Sequence, residues 1–192
     1  MSKHEDILNS AEWLFYNEGF HRTGVAKIAN TAGTTQRTLY KHFASKEELI
    51  LCILERRETS YWHLLNQLEA ANQRLPLPKL YALLPFQALQ DWYQTRASCG
   101  CFFMHALAEY RGKNSAIENY VENHKQRMRA TFVRLLSKDG FSDTTTANTL
   151  MILLEGVTAL SALQTANELC QQAYQCAENT LKNNTIKETK KA

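Results

Sequence analysis

The side chains best equipped for chemistry sit together near the start of the chain. Thr34, Thr35, Gln36, Arg37 and Thr38 place hydroxyls, an amide and a guanidinium at consecutive positions. Tyr40, Lys41 and His42 extend this polar run, and Lys46 follows. Such groups hydrogen-bond base edges and backbone oxygens of nucleic acid. Chemistry of other kinds has little to work with. No phosphate-binding glycine loop, paired metal motif or nucleophile elbow occurs, so neither an enzyme nor a bound cofactor is expected. The five cysteines (Cys52, Cys99, Cys101, Cys170 and Cys176) are odd in number, and no secretory signal precedes them. They read as reduced thiols of a cytoplasmic protein. Cys99 and Cys101 lack a second Cys or His pair at zinc spacing, so no metal site is expected.

Charge supports the same stretch. The formal net charge is +3, and residues 182–192 alone, with four Lys and one Glu, account for +3. The remainder sums to zero, yet residues 19–46 hold Arg22, Lys27, Arg37, Lys41 and Lys46 with no Asp or Glu. A local basic patch on a neutral chain suits docking of one face on phosphates. No apolar run approaches the length of a membrane span.

The elements that must position these groups read as helices throughout, in keeping with only 7 Gly and 3 Pro in 192 residues. Ser2 and Glu5 fit a capping box, and Ile7, Leu8, Ala11, Leu14 and Phe15 follow as one buried stripe up to Gly19. Trp13 lies off that stripe. A short helix over about 25–31, capped by Thr23 or Gly24, precedes a turn at Ala32, Gly33 and Thr34, and a second short helix covers about 35–43. Ser45 and Glu48 form another capping box, opening a long helix to about residue 71. Pro76 and Pro78 mark a joint. Helices then cover about 79–97, with Pro85 as a kink or restart, 101–110, a segment from a third capping box at Ser115 and Glu118 to Gly140, 143–166 and 167–182. The last two carry Gly156, Ala159, Ala162, Ala166, Ala173 and Ala177, small residues that let helices approach closely.

Two short helices joined at Gly33 have the form of a helix-turn-helix, whose second helix enters the major groove with its N-terminal residues at base edges. Lys46, in the first turn of the long helix, can meet a phosphate together with free N–H groups. Periodicity alone also admits an ordinary helical hairpin with a solvated basic face.

Residues 7–54 resemble the DNA-binding domain of the TetR family of repressors. The resemblance is carried by Ile7, Leu8, Ala11, Leu14, Phe15, Gly19, Phe20, Thr23, Ile28, Ala29, Ala32 and Gly33, and most specifically by the unbroken run from Thr38 through Leu49. It implies that Thr23 meets a phosphate, that residues 34–38 form the reading head, and that Tyr40, Lys41, His42 and Lys46 clamp the backbone. Thr34 stands where the family often has Val, and Gln36-Arg37 replaces a commoner pairing ending in Gly, so the operator does not transfer by analogy.

The resemblance further implies an all-α protein in which an N-terminal three-helix domain (1–46) is joined by a long helix to a larger ligand-binding and dimerisation domain (47–182), with a flexible tail (183–192). Its partners would be a palindromic double-stranded operator, a second copy held through the last two helices, and a small-molecule effector. Candidate effector contacts are Trp92, Phe102, Phe103, Met104, His105, Tyr110 and His124; aromatics at helical spacing equally fill cores. The segment 101–110 is placed to touch both pocket and DNA-binding half. Repression relieved by the effector is the leading expectation. Activation, sensing through Cys99 and Cys101 as thiols, and a helical interaction module that does not bind DNA are the alternatives.

Overall fold

A computed structural model describes residues 2–77, 79–96 and 100–189, with side chains described as far as Asn183. Among these residues there are nine α-helices, one 3-10 turn and no strand: α1 (Lys3–Glu18), α2 (Val25–Thr31), α3 (Gln36–His42), α4 (Lys46–Asn72), the 3-10 turn (Tyr81–Leu83), α5 (Leu84–Thr95), α6 (Phe102–Tyr110), α7 (Ser115–Lys138), α8 (Thr144–Leu160) and α9 (Ala166–Thr189). None of the described helices is long and apolar enough to cross a membrane. The all-α class expected from the sequence is the one observed. The chain forms two compact units, residues 1–59 with 101–124 and residues 60–100 with 125–192.

In the first unit the apolar stripe of α1 is buried as its spacing predicts. Ile7, Leu8, Ala11, Leu14 and Phe15 meet Ile28 of α2, Leu39 of α3, Leu49, Ile50, Ile53 and Leu54 of α4, Phe102 and Ala106 of α6, and Ile117 and Val121 of α7. Each such large side chain contributes on the order of 1.5–3 kcal/mol by leaving water. Two polar groups of α4 are buried in this unit. Arg57 pairs with Glu12 of α1 at 2.5 Å and lies over the rings of Tyr16 and Phe102. Glu58 faces His124 of α7. Both helices that carry these groups, α4 and α7, continue into the second unit.

In the second unit, Leu65 of α4, Phe86 of α5, Phe132 and Leu135 of α7, Leu150 and Leu154 of α8 and Ala177 of α9 form the core. Pro85 occupies the first turn of α5, where a missing N–H leaves no bond broken. The helix expected over 79–97 therefore starts late, after the 3-10 turn. That turn is fixed from outside: the Asp139 carboxylate accepts the N–H groups of Tyr81 and Ala82 at 2.7 and 2.8 Å. The Asn72 side chain bonds the N–H and the carbonyl of Lys79, both at 2.9 Å, and closes the connection after α4.

Three further boundaries differ from the sequence reading. The cap of α7 is Asn114, whose side-chain oxygen accepts the Ile117 N–H at 3.1 Å; Ser115 is already the first helical residue, and Glu118 turns back to the Gly112 N–H at 3.2 Å. Helix α8 stops at Leu160 instead of 166, since the Ser161 hydroxyl donates to the Thr158 carbonyl at 2.9 Å and competes with helical continuation. Helix α9 continues to Thr189, past the 182 limit expected; of the 183–192 tail, residues 190–192 lie outside the described residues.

Candidate nucleic-acid interface

The interface is built on a turn and a cap. Helix α2 ends at Ala32, and Gly33 follows in the left-handed region at φ 59°. The N–H of Thr34 reaches back to the Ala29 carbonyl at 2.9 Å, and that of Gly33 to the Asn30 carbonyl at 3.0 Å, the paired bonds of a Schellman stop. The chain then reverses into α3. Thr35 caps it: its hydroxyl accepts the Thr38 N–H at 3.1 Å and lies 3.0 Å from the Thr38 hydroxyl. Leu39, fully buried, anchors the inner face.

What remains outward is the chemistry singled out in the sequence. Gln36, Arg37, Tyr40 and Lys41 are exposed, and none of their side chains engages in a hydrogen bond or ion pair among the described residues. Thr34 and Thr38 are half-buried at the turn and cap. His42 is exposed, with its ring 5.8 Å from that of His4, which in turn stacks on Phe43 at 4.9 Å. Lys3 reaches the Gly33 carbonyl at 3.4 Å. His4 and Lys3 thus support the base of the unit, a role that α1 periodicity did not reveal.

The next residues complete the geometry. Ser45 caps α4, accepting the Glu48 N–H at 3.0 Å, while the Glu48 carboxylate reaches one residue past the cap to accept the Ala44 N–H. Lys46 lies in the first turn of α4, its ammonium 5.8 Å from the centre of the Phe15 ring. Burial lowers its pKa below the ordinary Lys value, against the opposing pull of Glu47 and Glu109.

One residue is not on this surface. Thr23 is 0% exposed, and its hydroxyl donates to the Gly19 carbonyl at 2.8 Å. It neither caps α2, which Gly24 does without a side-chain bond, nor offers its side chain to a phosphate. Its side-chain bonding capacity is used to hold the turn after α1. Lys27 is also engaged, with Glu18 at 2.5 Å, so the basic character of the surface comes from Arg37, Lys41 and Arg22 more than from all five cations.

The effector candidates separate. Trp92 belongs to the second unit, buried with the Arg96 guanidinium 4.0 Å above its ring. The other six belong to the first unit. There Phe102, Phe103 and Tyr110 are core, with burial pushing the Tyr110 hydroxyl up to about 12, while Met104 and His105 are exposed. His124 is the exception among core residues because it is polar. It is 5% exposed, its Nδ1 lies 3.0 Å from Glu58 (6% exposed), and the Phe103 ring stacks on it at 3.8 Å. Tyr120 donates to the second oxygen of Glu58 at 2.7 Å. Glu58 and Tyr120 escaped the sequence reading because no local pattern marks a partner more than sixty residues away.

Two clefts in the second unit are lined by other residues. One of about 250 Å³ lies at Val133, Leu136, Phe141 and Thr144. The other, of about 430 Å³, runs between α5 and α9 and includes Gln87, Gln90, Gln94, Gln171 and Gln175. Of the cysteines, Cys101 is half-buried beside the start of α6, and burial raises Cys52 and pushes Cys170 to about 11. Cys176 is exposed, and Cys99 lies outside the described residues.

A basic, rigidly capped second helix behind a glycine turn defines a helix-turn-helix protein, and comparison with known proteins agrees. The family described as bacterial regulatory proteins, tetR family, matches residues 7–53. The HTH-type transcriptional regulator TtgR of Pseudomonas putida is 36% identical over 78 residues, which is 41% of this chain and 37% of that relative. The HTH-type transcriptional activator FasR of Mycolicibacterium smegmatis is 42% identical over 50 residues, 26% of this chain and 23% of its own. The chain thus aligns with only 37% and 23% of the length of these two curated relatives. The whole fold is similar to the crystal structure of a TetR-family transcriptional regulator from Streptomyces coelicolor, with a TM-score of 0.83 at 25% identity, covering 94% of this chain and 95% of that one. Residues 7–53 thus match the DNA-binding domain of the tetR family, and the fold as a whole is similar to that of a TetR-family transcriptional regulator.

Proposed function

We propose that this protein is a homodimeric, sequence-specific repressor that binds a palindromic operator through α3 and is released by a small-molecule effector. The observation that carries the reading is the state of α3. Its backbone is fixed by the Thr35 cap and the Leu39 anchor, while Gln36, Arg37, Tyr40 and Lys41 stay exposed and unengaged. Side chains presented without internal partners on a rigid helix suit base and phosphate contacts. Lys46, His42 and Thr34 flank them.

Dimerisation is supported by the apolar residues left exposed on α8 and just after it, Ile152 at 71%, Leu160 at 43% and Leu163 at 82%. One seven-residue helix makes a small contact, and a second matching head doubles it on a palindrome. Release by an effector requires tighter binding to the DNA-incompetent arrangement. The buried Glu58–His124 pair under Phe103 supplies a polar point in an apolar setting where a ligand of defined shape would be recognised.

Genomic footprinting with purified protein tests this reading. Protection of palindromic sites, one of them beside its own gene, is expected, with release by compounds handled by the neighbouring gene products. Protection spread without sequence preference would overturn it. Footprints that assist polymerase at those sites would turn repression into activation while leaving the DNA reading intact.

A further inference from the structure

Glu109, at the end of α6, stands outside the interface described above, yet its carboxylate is committed to the turn that leads into it. One oxygen accepts the Phe20 N–H at 2.8 Å and the other the His21 N–H at 2.6 Å. The Glu109 carbonyl lies 2.9 Å from His21 Nε2 and accepts from the Lys113 ammonium at 3.1 Å. All these residues lie within the first unit.

The local chain conformation makes the arrangement possible. Helix α1 ends at Gly19, whose φ of 89° turns the next two N–H groups away from any helical acceptor. The carboxylate approaches so closely that a Cβ on residue 19 would lie 3.1 Å from it. Rings close the other side: Phe20 packs 5.1 Å from Phe102 and 6.2 Å from Tyr110, and His21 lies 5.0 Å from Tyr110. An ionised acceptor shared by two N–H groups forms strong, directional bonds. The turn it holds runs directly into α2, and through the Schellman stop into α3.

We propose that Glu109 is a positioning residue for DNA recognition: by holding the N–H groups of Phe20 and His21 it sets the direction in which α2 and α3 present residues 34–41. This rests on the reading of those residues as the DNA interface.

The test uses the full chain as wild type, Glu109→Gln and Glu109→Asp. The Asp variant keeps the charge but is one methylene too short to span both N–H groups, and it carries the test if the Gln variant fails to fold. A third variant, Glu118→Gln, removes a carboxylate that caps Gly112 in the same unit but does not touch the turn. Three quantities are read: hydrogen exchange at the Phe20 and His21 amides, the urea midpoint, and affinity for a duplex recovered by in vitro selection with the wild type. Both Glu109 variants should exchange those amides faster and bind the duplex about tenfold more weakly, as loss of charge-assisted hydrogen bonds implies, under conditions where urea curves show them folded. Glu118→Gln should bind as the wild type does.

Faster exchange with unchanged affinity would reduce Glu109 to a cap and overturn the proposal, as would unchanged exchange. If the wild type selects no duplex, the DNA reading itself fails and this role with it. If it selects one that every variant binds equally, only the positioning role fails.

Discussion

Thr35 shows how a single side chain serves structure and recognition together. Its hydroxyl satisfies the Thr38 N–H at the start of α3, and that bond fixes the first turn, from which Gln36 and Arg37 project. Replacement by Ala should lower the stability of the unit by about 1 kcal/mol, the ordinary cost of losing an N-cap. Urea denaturation would read this loss. Replacement by Ser keeps the oxygen and should retain most of the stability, whereas equal losses in Ala and Ser variants would show that the cap is not what matters. Thr23 is the opposite case. The resemblance places it at a phosphate, but its side chain is buried and its hydroxyl donates to the Gly19 carbonyl inside the fold.

At the scale of elements, what the sequence disclosed was what is local. Stripe spacing, the Gly33 turn and the Ser2 and Ser45 caps depend on residues within one turn of each other, and the structure places them as their types require. Where two local solutions compete, residue type does not choose between them. Asn114 and Ser115 both cap helices well, and the chain uses Asn114. A remote partner leaves no local mark at all: nothing near Glu109 announces Phe20, nor anything near Glu58 His124.

The ties between α4 and α7 in the second unit are of this remote kind. Glu69 accepts from Arg134 at 2.8 and 2.6 Å and from Lys138 at 2.8 Å. The Arg134 hydrogen bonds, helped by Lys138 and opposed by burial, hold the Glu69 carboxyl below its ordinary value of 4.5. A carboxyl whose pKa is lowered on folding adds stability above its unfolded value and loses it as pH falls through the folded one. Glu69→Gln should therefore be less stable than the wild type at pH 7, by about 2 kcal/mol for lost charged hydrogen bonds, and the gap should narrow below pH 4.5. Melting curves from pH 7 to 3 measure it, and a gap independent of pH would show that the charge plays no part.

For the whole molecule, the exposed apolar residues of α8 and the turn after it suit a second copy better than water. Light scattering should give twice the chain mass of 22.0 kDa. Ile152→Glu with Leu163→Glu should halve that mass and weaken operator binding by about 100-fold, since the two heads would no longer bind as one. A wild type of single-chain mass, or a double variant that stays dimeric, would place the interface elsewhere or remove it.

The central claim is that α3 reads DNA sequence, and competition binding tests it most directly. Labelled duplex from in vitro selection would be titrated with wild type, Arg37→Ala and Lys41→Ala, against unlabelled selected and scrambled duplex, over a range of salt. The account predicts that the wild type prefers the selected duplex and that Arg37→Ala loses about 1–3 kcal/mol of that preference if it meets a base. Lys41→Ala should weaken both duplexes alike and reduce the salt slope by about one. Equal binding of selected and scrambled duplex by all three proteins would contradict it.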